Sequence, residues 1–508
     1  MARLKFTALV CLLFFANSLF SQNLKARIKI DIERKTGQVD SMIYGNFTEH
    51  LGRCIYGGIF DPASKKADNN GFRTDVIEAT KDLHVSQVRW PGGNFVSGYH
   101  WMDGIGPLEK RPKKKDLAWG AIETNRVGTD EFMKWAKEAN VQPYVCVNMG
   151  TGTIEEARNW VEYCNAPAGI YYSDLRVTNG HSEPYKVKYW GLGNEMDGQW
   201  QIGHLNAEDY SKKAMEAAKL MRWSDGSIKL IASGSSNYGA DWQHWNSTVL
   251  DQLFDYIDYI SLHHYAGNHE KDHYRFMASI NMVNNVIDIT RGIIKEEQQK
   301  HKSQKQIYIA FDEYNVWYRS GGEQQLEEHY NLQDALVVAS YLNTFIRNAD
   351  VVKMANMAQL VNVIAPMMVT DDTLWKQTIY YPFALFAKNC YGNAIDTYID
   401  CDTYNAGDYK KVPYLDVSSV YNGKENELII NVVNRHLDKA IETTIMNQFG
   451  NLAARGIAYE INSSKITDEN SVNEQKVKIN QKEITAKKDG FMYSFPPHSF
   501  TMIKIKLN

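Results

Sequence analysis

Eight short, nearly uninterrupted apolar runs alternate with longer amphipathic segments across about residues 41–380, and this alternation restricts the fold more than any other feature. The runs lie at residues 42–47, 85–90, 143–149, 187–192, 229–233, 259–264, 307–311 and 354–360. Strands covered by helices on both faces read this way, because no solvent side is left towards which polar residues could alternate. Residues 75–83, 129–139, 207–221 and 278–295 repeat apolar side chains at helical spacing between those runs. Eight β–α units in roughly 340 residues predict an α/β fold, a (β/α)8 TIM barrel with long loops. After about residue 390 the segments become short, β-rich and separated by polar turns, which predicts an antiparallel β-sandwich of jelly-roll type. Residues 27–33 (RIKIDIE) alternate like a strand and are expected to join that sandwich from the N-terminus. The expected boundaries are 1–21 for a leader, 22–40 for the N-terminal strand, 41–389 for the barrel and 390–508 for the sandwich.

Composition narrows the function. With 44% hydrophobic residues the chain can bury large cores. Its net charge of −4 argues against nucleic acid as a partner, since phosphate binding needs a basic surface. The basic run at 110–115 reads as a solvated loop. Arg3 and Lys5 followed by the uncharged apolar stretch 6–15 and small residues up to Ser21 match a secretory leader, so export to the periplasm or medium is expected. No later stretch reaches the ~18 apolar residues of a membrane span. Beyond the leader, Cys54, Cys146, Cys164, Cys390 and Cys401 are too few for a disulfide scaffold, and their odd number leaves at least one thiol unpaired.

In a barrel the active site lies at the C-terminal ends of the strands. There the chain places Glu49-His50, Pro91-Gly92-Gly93-Asn94, Gly193-Asn194-Glu195, His263-His264-Tyr265, Asp312-Glu313 and Gln359. Glu195 and Glu313 each follow a buried run directly, and their separation of 118 residues corresponds to about three β–α units, across one mouth. Paired carboxylates so placed have one dominant use, glycoside hydrolysis by an acid/base and a nucleophile. The bland alternative is two strand-end glutamates salt-bridged to barrel arginines. His269-Glu270-Lys271-Asp272-His273 matches H-E-x-x-H, but it sits in a polar stretch without a third ligand, so the zinc peptidase it would imply is a weak alternative.

The blocks YGNFTEHLGRCIYGGIFDP, VRWPGGNFVSGYHWMDGIGP, KYWGLGNEMDGQWQIGH, ISLHHY and IAFDEYNVWY, with the ending FPPHSFTMIKIKL, resemble the α-L-arabinofuranosidases of glycoside hydrolase family 51 over essentially the whole mature chain. The resemblance implies a retaining exo-hydrolase that releases terminal non-reducing α-L-arabinofuranosyl residues from arabinan, arabinoxylan or derived oligosaccharides. It implies Glu195 as acid/base and Glu313 as nucleophile. Glu49, Asn94, Asn194, Tyr265 and Gln359 correspond to the hydrogen-bonding set around the furanose. His263 would sit between the carboxylates, Arg89 would hold the nucleophile, and Trp119 and Trp317 would shape the neighbouring subsite. Asn46, Trp90 and Tyr314 depart from the family pattern, but they flank the reacting residues without replacing any. No cofactor and no metal are expected. The expected partners are arabinose-containing plant polysaccharides and oligosaccharides, with no nucleic acid and no membrane span; a homo-oligomer is compatible with the sequence. An endo-β-glucanase or xylanase on the same scaffold, and a non-catalytic glycan-binding protein, remain as alternatives.

Overall fold

The computed structural model describes residues 24–319 and 326–508. Its N-terminal strand β1 (Leu24–Val39) precedes eight strands that close into a barrel. These are β2 (Gly45–Phe47), β3 (Gln87–Trp90), β4 (Gln142–Cys146), β5 (Tyr189–Leu192), β6 (Lys229–Ala232), β7 (Tyr259–Ala266), β8 (Tyr308–Val316) and β9 (Val352–Ala358). All are parallel, each bonded to the next, and β9 closes on β2. Helices such as Thr129–Ala139, Ala207–Ser224 and Ile280–Lys300 fill the connections and cover the strands with their apolar faces.

The first barrel strand is shorter than its apolar run. Asp40 accepts a hydrogen bond from the Met42 amide at 3.0 Å and starts a 3₁₀ turn over Ser41–Tyr44, so only Gly45–Phe47 enters the sheet. At that closure Gln87 and Asn356 bond each other across the barrel at 2.9 Å. A Cβ on Gly45 would fall 1.9 Å from Gln87 Nε2, which is why glycine stands there. Tyr144, Tyr189, Ile231, Tyr259, Ala310 and Met354 form a floor beneath the site.

β8 departs from regular pairing in a way that shapes the site. Ala310 pairs with Ser261 and Glu313 with His263, so three steps on β8 match two on β7. The same surplus appears against β9, where Phe311 pairs with Ala355 and Tyr314 with Met357. The extra residue is a bulge, a device that re-aims side chains beside active sites. It turns Asp312 and Glu313, neighbours in sequence, both towards the barrel mouth.

The C-terminal strands are β10 (Gly392–Cys401), β11 (Leu415–Asn422), β12 (Glu427–Asn434), β13 (Ile441–Asn447), β14 (Leu452–Asn462), β15 (Lys478–Thr485), β16 (Gly490–Phe495) and β17 (Ser499–Leu507). With β1 they form one nine-stranded sheet in the order β15-β14-β17-β12-β11-β10-β1-β13-β16. Its pairings are antiparallel except β1 with β13, which is parallel, as a strand arriving from the chain start without a hairpin is free to be. Alternation divides its side chains. Leu428, Ile430 and Val432 face the sheet's own core, whereas Ile429 and Val433 join the barrel core. Arg347, at the end of helix Leu332–Arg347, bonds Asp416 of β11 at 2.9 Å and ties the two parts together.

Candidate active site

Glu313 is held by two donors. Arg89 Nη1 donates to its Oε1 at 2.5 Å and Tyr265 Oη to its Oε2 at 2.8 Å. The other guanidinium nitrogen, Nη2, donates to Asn194 Oδ1 at 2.6 Å, and the cation lies 4.6 Å above the Phe47 ring. Burial works against the Arg89 charge, but Glu313 and Asp312 hold it well above its ordinary range. Donors at both oxygens fix the orientation of this carboxyl group.

Glu195 faces it from the end of β5. The backbone turns through left-handed conformations at Gly193 (φ 89°) and Glu195 (φ 45°), which reverses the chain and aims the carboxyl back over the mouth. Its Oε1 lies 2.9 Å from His263 Nδ1, and its Oε2 accepts from Trp200 Nε1 at 2.6 Å. One oxygen of Glu195, one of Glu313 and a His263 nitrogen all lie within 4.8 Å of one another. Glu195 is half-buried while Glu313 is buried, so the first is open towards solvent and the second is deeper.

A second pocket wall is built around Glu49. Its Oε1 accepts from the Phe95 amide and from Trp119 Nε1, both at 2.9 Å, and its Oε2 from Gln359 Nε2 at 3.3 Å. The Glu49 amide donates back to Gln359 Oε1 at 3.0 Å. Burial pushes the Glu49 carboxyl up to about 8, against the pull of those donors. Glycine is required at 93 because a Cβ there would sit 2.3 Å from Glu49 Oε2. Asn94 meets Asn194 Nδ2 at 3.4 Å, and Trp317 stands edge-on to Tyr265 with ring centres 5.4 Å apart. The eleven positions singled out in the sequence thus form linked groups at one barrel mouth.

Sequence reasoning named Asp312 at a strand end but gave it, Gln201 and Trp200 no role. Asp312 reaches Tyr144 Oη at 2.7 Å and His263 Nε2 at 3.2 Å. Gln201 Oε1 accepts from Asn194 at 3.1 Å, and Trp200 caps Glu195. Proximity to the two glutamates was their only signal. The H-E-x-x-H match does not make a ligand pair. Helix His273–Ala278 begins at the second histidine, leaving exposed His269 outside it. Both His273 nitrogens are engaged, by Arg435 O at 2.8 Å and Gln333 Nε2 at 2.7 Å. Away from the mouth, Asp251, Glu297 and His301 have metal-compatible spacing, but Lys300 Nζ already lies 3.6 Å from Glu297.

Residues 79–282 match the profile of the α-L-arabinofuranosidase 1 domain, and residues 312–499 that of the α-L-arabinofuranosidase C-terminal domain. The chain is 41% identical over 496 residues to the intracellular exo-α-(1→5)-L-arabinofuranosidase 1 of Bacillus subtilis (strain 168), covering 95% of this chain and 99% of that protein. It is 44% identical over 431 residues to the intracellular exo-α-(1→5)-L-arabinofuranosidase of Halalkalibacterium halodurans, covering 82% and 86%. The solved thermostable GH51 α-L-arabinofuranosidase from Thermotoga petrophila superposes with a TM-score of 0.88 at 37% identity, over 95% of this chain and all of that one.

These relatives overturn the expectation of export, because both curated proteins are named intracellular. The leader pattern rested on residues 1–21, which lie outside the described residues. An apolar run of that length measures only local hydrophobicity, which is a weak guide to compartment. Among the described residues Cys54, Cys146, Cys164 and Cys390 are buried and Cys401 partly so, all as free thiols.

Proposed function

The chain belongs to glycoside hydrolase family 51 and is an exo-acting α-L-arabinofuranosidase, and we propose that it works with retention of configuration, Glu313 as nucleophile and Glu195 as acid/base. The observation that carries this reading is the pair itself, with carboxylate oxygens within 4.8 Å of each other. Retaining enzymes hold their carboxyl groups about 5–5.5 Å apart, whereas inverting ones need about 6.5–9.5 Å to seat a water between them.

In the first step a Glu313 oxygen bonds to the anomeric carbon while the glycosidic C–O bond breaks. Its electron pair goes to the leaving oxygen, which takes the proton from Glu195. In the second step Glu195, now a carboxylate, removes a proton from water as that water attacks the same carbon and frees Glu313. Asn194, oriented by Arg89, would bind the sugar 2-hydroxyl, a contact that strengthens in the transition state. The hydrogen-bonded group of Glu49, Trp119 and Gln359 would bound the furanose on one side, in keeping with removal of a terminal unit. The names of the relatives support α-(1→5)-linked arabino-oligosaccharides as substrates, and an intracellular enzyme meets fragments small enough to be taken up rather than whole polymers.

The test is the configuration of the first sugar released. With an aryl α-L-arabinofuranoside, proton NMR should show the α-anomer before mutarotation. A β-anomer appearing first would refute retention, and faster cleavage of an aryl xyloside or glucoside would refute the substrate.

A further inference from the structure

His263 is surrounded by acceptors on both sides of its ring. Nδ1 lies 2.9 Å from Glu195 Oε1 and 3.6 Å from Glu313 Oε2, and Nε2 lies 3.2 Å from Asp312 Oδ1. A neutral imidazole has one N–H and one lone pair, so while Glu195 is a carboxylate it would set a lone pair against a carboxylate oxygen whichever tautomer it took; with Glu195 protonated, only the tautomer protonated at Nε2 escapes this. Only the imidazolium presents N–H groups to both sides.

The third carboxylate is brought there by the β8 bulge, which turns Asp312 inward beside Glu313. Asp312 is buried, and its other oxygen accepts from Tyr144 Oη at 2.7 Å and lies 3.7 Å from Arg89 Nε. With Glu195 protonated, the buried cluster holds two cations, Arg89 and His263, against two anions, Asp312 and Glu313. It is then neutral; a neutral His263 would leave it with an uncompensated negative charge, which burial penalises.

We propose that Asp312 is a positioning residue that keeps His263 as an imidazolium, and that this charge stabilises the Glu195 carboxylate formed when the leaving group takes the proton. The inference rests on Glu195 being the acid/base. His263 retains both protons throughout and relays none; the transferred proton passes from Glu195 to the leaving oxygen and returns from water. The electrostatics point the same way. Burial alone would depress His263, but Glu313, Asp312 and Glu195 together hold it well above its ordinary range. Burial raises Asp312, but Arg89 and His263 more than offset it and keep it low. Other titratable groups facing this pair include Asp197 beyond β5, Tyr144 and Cys146 on β4, Tyr210 on helix Ala207–Ser224, and Tyr238, whose Oη donates to His263 O at 2.6 Å.

The kinetic test is Asp312→Asn, because the sign of its effect separates two roles. If Asp312 acted only as a nearby negative charge, its loss would make Glu195 more acidic and move the alkaline limb of kcat/KM down. If it maintains the imidazolium, its loss removes the closer positive charge. Glu195 then holds its proton longer, and the limb moves up by about one pH unit. With a poor leaving group kcat should also fall by about tenfold or more, while KM stays within about threefold. The direct test is nitrogen-15 NMR of the wild-type histidines, with Glu-independent assignment from His263→Gln. At about pH 7.5 both His263 ring nitrogens should be protonated. One unprotonated ring nitrogen in the wild type, or a limb that stays or moves down in a folded Asp312→Asn, overturns the proposal. The NMR measurement decides it even if that variant does not fold. Wild-type protein without arabinofuranosidase activity would overturn the functional reading, while the ring protonation would still be read independently.

Discussion

Glu49→Gln should make the protein more stable in alkali than the wild type, and the effect should vanish in acid. The Glu49 carboxyl is 2% exposed, and burial carries it from the ordinary 4.5 to about 8. Its folded form therefore favours the protonated state. The stability this confers is fully present below pH ~4.5 and is lost as the pH rises through about 8. That interval corresponds to about 5 kcal/mol as an upper bound, and relaxation of the pocket would leave roughly 2 kcal/mol or more. Glutamine keeps a carbonyl oxygen for the Phe95 amide or Trp119 Nε1 and cannot ionise, so this loss disappears. Melting curves at about pH 5 and 8.5 check it. The variant should melt within about a degree of wild type, or slightly below it, at the lower pH, and several degrees above it at the higher. An equal gap at both values would refute the reasoning, because it would mean that ionisation of Glu49 is not what the fold resists.

The two glutamates should separate by leaving group and by rescue. Glu313→Ala should lose nearly all turnover on every substrate. Glu195→Ala should keep the first step on an activated aryl arabinofuranoside and accumulate the glycosyl-enzyme as a burst; azide, which needs no deprotonation, should then restore turnover and give the α-azide. Retained α-azide from Glu313→Ala, with inverted β-azide from Glu195→Ala, would mean the roles are exchanged. Gly93→Ala should drive Glu49 from its donors, since the added Cβ would sit 2.3 Å from Oε2, and should cut kcat/KM by about tenfold or more with circular dichroism unchanged. Activity within twofold of wild type would show that the Glu49 carboxyl is not a fixed part of the pocket.

Much of this was legible along the chain. A buried parallel strand announces itself through its own few residues, and barrel chemistry sits where such strands end, so Gly193-Asn194-Glu195 and Asp312-Glu313 could be picked out as site-bearing without any coordinates. The parallel junction of β1 with β13 and the capping of Glu195 by Trp200 could not, and export was misjudged from a segment with no tertiary context. The β8 bulge is the clearest case. Strict alternation puts Asp312 and Glu313 on opposite faces, and nothing in FDEYN says otherwise. What turns both inward is the register of β8 against β7 and β9, together with Arg89, 224 residues away in the chain, which reaches Glu313 at 2.5 Å. Local pattern decides which residues can be strand or helix because it depends on near neighbours. Side-chain direction at a bulge depends on hydrogen bonds to distant strands, and only the closed barrel supplies them.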